Sequence, residues 1–207
     1  MREIVIATRN DKKLRELKRY LKSVKAKVVD LNDVAHAPGI REDKQTFKGN
    51  AVKKALTISR FTGGLVLADD SGLEVKALGG LPGVMSARFA GPRKKDHDNT
   101  VKVLKLLDGK PDRLRSARFV CAIAIADKGR VVKLVEESCS GRIAHSIRGR
   151  HGFGYDPVFL IPKYKKTFGE LGLKTKDRMS HRSKALKKAR KFLKNYLNQV
   201  HCTSSSH

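Results

Sequence analysis

Apolar and polar positions alternate between a period near two and a period near 3.6 along this chain, and the changes of period mark its elements. Glu3-Ile4-Val5-Ile6-Ala7-Thr8 is rich in β-branched residues and predicts a short first strand. Leu14, Leu17 and Leu21 then recur at helical spacing over residues 11–21, with Asn10 or Asp11 as the cap. A second short strand is expected at residues 27–31, which completes a β-α-β opening. Residues 35–44 hold Pro38, Gly39 and scattered charges and read as a loop. Thr46 caps a predicted second helix reaching about Phe61, with Phe47, Ala51, Ala55 and Ile58 on its apolar face and Gly63-Gly64 as its stop.

The apolar run Leu65-Val66-Leu67-Ala68 ends in Asp69-Asp70-Ser71-Gly72. Neighbouring side chains on a strand point to opposite faces, so only one of the two carboxylates faces a given site. Hard oxygen donors at a strand end suit Mg²⁺, which takes one or two protein carboxylates and leaves room for phosphates. By itself the segment reads better as a strand closing on an Asp-rich turn, with Asp70 or Ser71 capping the next element.

Beyond it, Gly79-Gly80-Leu81-Pro82-Gly83 is a turn cluster. Residues 98–107 predict a helix ended by Gly109 and Pro111. Residues 116–126 and 130–139 predict two long strands joined through Asp127-Lys128-Gly129 as a hairpin. Residues 157–161 predict another strand. The last helix starts at Ser180 and carries Ala185, Leu186, Ala189, Phe192, Leu193, Tyr196 and Leu197 on one face. Residues 201–207 read as a disordered tail, set aside from the fold. Without repeats or an internal linker, the pattern describes one α/β domain over residues 1–200, with a mixed sheet and a long antiparallel hairpin.

With 207 residues, 40% of them apolar, the chain can bury a sizeable core. No stretch is long enough to span a membrane, and the first residues lack the apolar core and cleavage site of a signal peptide. Cys121, Cys139 and Cys202 show no paired metal-ligand spacing, and their odd number argues against a disulfide framework. A reduced cytoplasm is the expected compartment.

The charge changes the picture more. Lys and Arg number 46 against 20 Asp and Glu, a formal net charge of +26. Such a surplus attracts polyanions: nucleotides, nucleic acid or acidic surfaces. It is spread from Lys12 to Lys194 with few aromatics interleaved. It therefore reads either as a lysine-biased solvated surface or as a nucleic-acid role, including weak non-specific binding.

Three further segments carry candidate chemistry. Thr8-Arg9-Asn10-Asp11-Lys12-Lys13 joins a strand to a helix N-terminus, where free amides and the helix dipole favour anionic oxygens and Lys13 adds charge. It lacks the glycines and the Gly-Lys-Ser/Thr ending of a Walker loop. Gly152-Phe153-Gly154-Tyr155-Asp156-Pro157 offers two glycines for close approach, two aromatic faces and an acceptor; it reads equally as a tight turn with the aromatics in the core. Ser180-His181-Arg182 places two basic side chains in the first turn of a helix, against the macrodipole, as if something negative compensates them. Residues 174–178 read as a charged loop able to close over phosphates. His97, His145 and His151 form no ligand set, and no nucleophilic Ser or Cys elbow is present.

In this order, the segments resemble the inosine triphosphate pyrophosphatase family, the XTP/dITP diphosphatases. The resemblance rests on Thr8-Arg9-Asn10 with Lys13, Thr46-Phe47 with Asn50-Ala51, Ala68 to Leu73, Leu78-Gly79-Gly80 with Pro82-Gly83, and Ser86 to Gly91. Gly152 to Pro157, Thr167-Phe168-Gly169-Glu170 and Ser180-His181-Arg182 complete it, so that it covers the chain from about Glu3 to Leu197.

The resemblance implies an α/β fold of two lobes around a central nucleotide cleft, usually as a homodimer. It implies Mg²⁺-dependent hydrolysis of ITP, dITP and XTP to the monophosphate and pyrophosphate. Asp70 would be the general base and a metal ligand, with Glu42 the second acidic contact, although Arg41-Glu42-Asp43 offers more than one carboxylate. Thr8, Asn10 and Lys13 would hold the triphosphate, joined by Ser71 and Lys176. Phe153, Gly154, Tyr155, Asp156, His181 and Arg182 would line the purine site. Donors aimed at a 6-oxo group would reject adenine, because its 6-amino group leaves a buried donor unpaired. Three residues depart from the family pattern: Gly49 where Glu is usual, His151 where glycine is usual, and Arg9 at a variable place. Two other expectations stay beside this one: a basic nucleic-acid-binding protein on the same fold, and a pyrophosphatase for other modified or pyrimidine nucleotides.

Overall fold

The computed structural model describes residues 2–92 and 95–203, without the side chains of 200–203. The strands are β1 (Glu3–Ile6), β2 (Lys27–Asp30), β3 (Leu65–Val75), β4 (Ser116–Asp127), β5 (Arg130–Ile143), β6 (Phe159–Ile161) and β7 (Lys166–Thr167). The α-helices are α1 (Asp11–Leu21), α2 (Phe47–Thr62), α3 (Asp96–Leu106), α4 (Leu173–Met179) and α5 (His181–Thr203). The strands form one sheet in the order β2-β1-β3-β4-β5-β6-β7, so the chain is a mixed α/β fold. Two compact units divide it. The first comprises residues 1–70, 122–136 and 185–207, and the second residues 71–121 and 137–184.

In the first unit β1 pairs in parallel with both β2 and β3. Parallel neighbours need crossovers, and the right-handed rule places α1 and α2 on opposite faces of these strands. Leu14, Leu17 and Leu21 bury one stripe of α1, and Phe47, Ala51, Ala55 and Ile58 one stripe of α2, as their spacing predicts. The Asn10 side chain caps α1, accepting from the Lys12 and Lys13 amides at 3.0 and 3.1 Å. Thr46 caps α2 by accepting from the Gly49 amide at 3.0 Å. Lys128 and Gly129 both adopt positive φ (49° and 74°), the type I′ geometry that matches the twist of a two-residue hairpin.

The second unit packs Leu73, Val103, Leu107, Phe119, Val158, Phe159 and Phe168 into one core. Phe119, Phe159 and Phe168 are mutually stacked or tilted at 4.4–6.2 Å. Arg115 lies buried beside this core and donates to the carbonyls of Leu107, Ile143 and Ala144 at 2.6–2.8 Å.

Several expectations change. The strand predicted to end at the two aspartates runs straight through them to Val75. Residues 157–161 begin as a 3-10 turn, because Pro157 has no amide to give a ladder, and only Phe159–Ile161 is strand. Residues 174–178, expected as loop, lie in α4. The last helix continues through Thr203, and residues 204–207 of the expected tail lie outside the described residues.

Since the N3 residue of α2 is Gly49, no Glu or Gln there reaches back to complete a capping box, and Thr46 carries the cap. Thr46→Ala is expected to cost about 1 kcal/mol, read from urea unfolding midpoints at constant m-value.

Candidate active site

The strand order 2-1-3 makes the boundary between β1 and β3 a topological switch point, with the crossover helices α1 and α2 on opposite faces. In open α/β sheets ligands bind beyond the carboxyl ends of the strands at that point. Pairing of β3 with β1 runs from Ile4–Leu65 to Ile6–Leu67, so Asp69 and Asp70 lie just past it. The segment from Thr8 to Lys13 leaves β1 at the same edge.

Asp69 and Asp70 are both buried, and alternation sends them to different partners. Lys13 of α1 reaches Asp69, Nζ to Oδ2 at 2.9 Å. On the α2 side, Asn50 donates to Asp70 Oδ2 at 3.0 Å. Lys54, one turn later, places Nζ 2.7 Å from Glu42 Oε1 and 3.9 Å from Asp70 Oδ1. Burial pushes the Asp70 carboxyl above its ordinary value, partly offset by the Lys54 and Lys13 charges and by the Asn50 hydrogen bond, while Glu42 adds to the rise. Burial works against the Lys54 ammonium, yet Asp69, Asp70 and Glu42 outweigh it and hold its pKa above the usual lysine value.

Thus Asp70 and Glu42 meet around Lys54, a residue outside the expected set, while Lys13 stands with Asp69. The signal for Lys54 was present: it follows Asn50 by four residues, on the same stripe as Ala51, Ala55 and Ile58. A lysine on a buried stripe needs a carboxylate partner. Asp43, the rival to Glu42, pairs instead with Lys53 at 2.8 Å on the exposed side. Thr8 and Asn10 organise the loop itself: Thr8 Oγ1 accepts from the Asn10 amide at 3.2 Å, and Asn10 is the α1 cap. Glu42 and Asp70 converge on one ammonium, two hard carboxylates around a single positive charge. That donor set fits Mg²⁺ in type and number. Among the described residues no three His, Cys, Asp or Glu side chains gather as a denser metal site.

The departure at Gly49 also becomes intelligible. A Cβ there would fall 2.9 Å from Lys44 Cβ and 3.1 Å from Thr46 Oγ1. Lys44 is clasped at this place because Asn50 accepts from its amide at 2.9 Å and donates to its carbonyl at 3.3 Å.

The second unit holds the remaining predicted residues. Asp156 is buried, and its Oδ2 accepts from the Phe153 amide at 2.8 Å and from Lys176 Nζ at 2.5 Å. Burial raises the Asp156 pKa, with Lys176 as the main opposing influence. The Lys176 ammonium lies 4.9 Å from the centre of the Phe153 ring, and the Arg182 guanidinium 5.2 Å from it. Arg182 also donates to Ser71 Oγ at 2.8 Å. His181 stacks on Phe119 at 4.7 Å. Ser180 caps α5, its Oγ accepting from the Ser183 amide at 3.2 Å.

Two sequence readings change here. Tyr155 offers no stacking face: it is buried in the core, its hydroxyl donates to the Ser86 carbonyl at 2.8 Å, and burial pushes its pKa well up. Lys176, grouped by the resemblance with the triphosphate residues, stands with Asp156 and Phe153. Of the two glycines, Gly152 makes room for the protein itself, since a Cβ there would fall 2.0 Å from Asp156 Oδ2. A Cβ on Gly154 would meet open space.

The Ham1 family model matches residues 4–192. The chain belongs to the Ham1 family. It is 50% identical over 191 residues to a Desulforamulus reducens protein named dITP/XTP pyrophosphatase, covering 92% of this chain and 95% of that one. A Bacillus subtilis protein of the same name is 43% identical over 193 residues, covering 93% and 98%. Among solved structures, the Staphylococcus aureus Ham1 protein superposes with a TM-score of 0.86 at 36% identity, covering 94% of this chain and 100% of that one. The nucleoside-triphosphatase / dITP/XTP pyrophosphatase of Mycobacterium abscessus gives 0.77 at 41% identity, covering 90% and 98%.

Replacing Lys176 by Met leaves Asp156 buried without its counter-charge. The variant is expected to lose about 3–5 kcal/mol at pH 7. Without Lys176 the folded carboxyl binds its proton at still higher pH, whereas the unfolded value stays near 3.8. The folded variant therefore gains more than the unmodified protein as the pH falls, so the deficit shrinks toward pH 4. Urea unfolding at pH 7, 5.5 and 4 reads this directly.

Proposed function

We propose that this protein hydrolyses non-canonical purine nucleoside triphosphates, dITP, ITP and XTP, to the monophosphate and pyrophosphate. The observation that carries the reaction type is the buried Asp70 carboxylate at the β1–β3 switch point, held by Asn50 and faced by Lys54, Glu42 and, more remotely, Lys13. The substrate class rests on relatives named dITP/XTP pyrophosphatase that match over nine-tenths of both chains.

Water adds to the α-phosphorus and the bond from that phosphorus to the bridging oxygen breaks, so pyrophosphate leaves with the bond's electron pair. Asp70 accepts the proton of the attacking water. Its raised pKa makes it a stronger base than an exposed aspartate, and Asn50 fixes the plane of its carboxylate. Lys13, Lys54 and the α1 N-terminus supply positive potential to the phosphates where charge builds up. Mg²⁺, held by Glu42 and Asp70, would neutralise phosphate charge and polarise the bond that breaks. By the family resemblance, Phe153 offers a ring for the purine, Gly154 close backbone approach, and Arg182, His181 and Lys176 donors for an oxo-substituted base. Asp156 sets Lys176 and the Phe153 backbone in place. Action in the cytoplasm as a homodimer rests on the family resemblance alone.

The experiment is a panel of ITP, XTP, dITP, GTP, ATP and a pyrimidine triphosphate, with Mg²⁺ and with EDTA, identifying the phosphate species released. Pyrophosphate from ITP and XTP, little from ATP and none in EDTA is the expected result; preference for a pyrimidine would transfer the site to another nucleotide class. Asp70→Asn is expected to lower kcat by about 10²–10⁴-fold. Lys54→Met is expected to lower kcat/KM by about 10²-fold. Turnover undiminished in Asp70→Asn removes that residue from the role of base.

A further inference from the structure

The net charge is not used up by the nucleotide chemistry. Helix α5 carries Arg182, Lys184, Lys187, Lys188, Arg190, Lys191 and Lys194 and no Asp or Glu from His181 to Thr203. Its Leu186, Ala189, Leu193 and Leu197 are fully packed into the core, with at most 2% exposure. Lys187, Lys191 and Lys194 are spaced four and three apart, so they share the opposite, solvent-facing stripe. All three are exposed, as is Asn198 one turn beyond. None of the ion pairs among the described residues involves them. Beside the stripe, Lys133 of β5 is also exposed and places its ammonium 5.8 Å from the centre of the Phe192 ring, extending the positive surface onto the sheet.

Helix surfaces ordinarily mix both signs, which supports i,i+4 pairs and limits self-repulsion. A stripe of a single sign, held rigid by a core-packed helix, adds repulsion to the folded chain unless an anion faces it. Seven residues of helix span about 10 Å. That is the axial length of about three phosphates on one DNA strand. We propose that the Lys187–Lys191–Lys194 face of α5 is a binding surface for the phosphodiester backbone of a nucleic acid.

The alternatives fit less well. An interfacial helix needs an apolar face to insert into lipid, and that face of α5 is committed to the core. A protein partner needs an apolar anchor within a polar rim, and the stripe offers only lysines and an amide. Backbone contacts carry no sequence information, so neither a base preference nor a choice between RNA and DNA follows.

The test uses the full chain and a labelled 20-nucleotide single strand of RNA and a 20-base-pair DNA duplex, followed by fluorescence anisotropy from 50 to 300 mM KCl. Lys187→Gln/Lys191→Gln/Lys194→Gln is expected to weaken binding at least ten-fold at 100 mM. It should also flatten the log Kd against log salt slope by about 2–3. Lys22→Gln/Lys105→Gln/Lys163→Gln removes the same charge from exposed positions elsewhere and is expected to change binding less than two-fold. Unaltered circular dichroism and pyrophosphate release in both triple variants exclude misfolding. No binding to either nucleic acid, or equal loss in both triple variants, overturns the proposal. Binding to phosphatidylserine vesicles that is as tight, and lost in the same α5 variant, overturns it in favour of a lipid surface.

Discussion

Two carboxylates lie inside β3, side by side, and their burial governs the architecture around them. An ionised aspartate out of water is costly unless a counter-charge and hydrogen bonds replace the solvent. Because adjacent residues face opposite ways, one compensating group must come from each side of the sheet. The crossover rule supplies them: α1 brings Lys13 to Asp69, and α2 brings Asn50 and Lys54 toward Asp70. Glu42 completes the α2 side through Lys54 rather than through either aspartate. The helices are thus placed by the strand order and tuned by the charges that the strand carries.

The second cluster follows another logic. Asp156 is buried, and its carboxylate holds the Phe153 amide and the Lys176 ammonium together. Lys176 and Arg182 both lie near the Phe153 ring, whose negative face attracts them. The aromatic ring and its cations form one preorganised surface, anchored by a carboxylate beneath. Tyr155, its neighbour in sequence, is spent on the core instead.

Much of this is legible in the pattern of residues. The β-α-β opening, the Asn10 and Thr46 caps, the hairpin turn and the apolar face of α5 all follow from local periodicity and turn chemistry, which do not depend on distant partners. The features that escape do depend on them. The switch point is a property of strand order, which periodicity does not encode. Lys54 sits on the apolar stripe of α2, which calls for a carboxylate, but which carboxylate meets it depends on the strand order. The residue pattern stops β3 at Asp69-Asp70 because unpaired carboxylates end strands; paired ones do not. Helix α4 escapes because it is only seven residues long, four of them charged, and shows no apolar stripe.

The tight corner at Gly49, closed by the Lys44 and Thr46 side chains, bears on how this sequence can change. Lys44 occupies the space that a side chain at position 49 would take, and Asn50 clasps Lys44 from both its amide and its carbonyl. A glutamate at 49 therefore displaces Lys44. It requires the 44–50 corner to reopen first, and Asn50 is tied at once to that corner and to Asp70. A substitution at this helix terminus is thereby felt, through Asn50, at the buried Asp70 carboxylate.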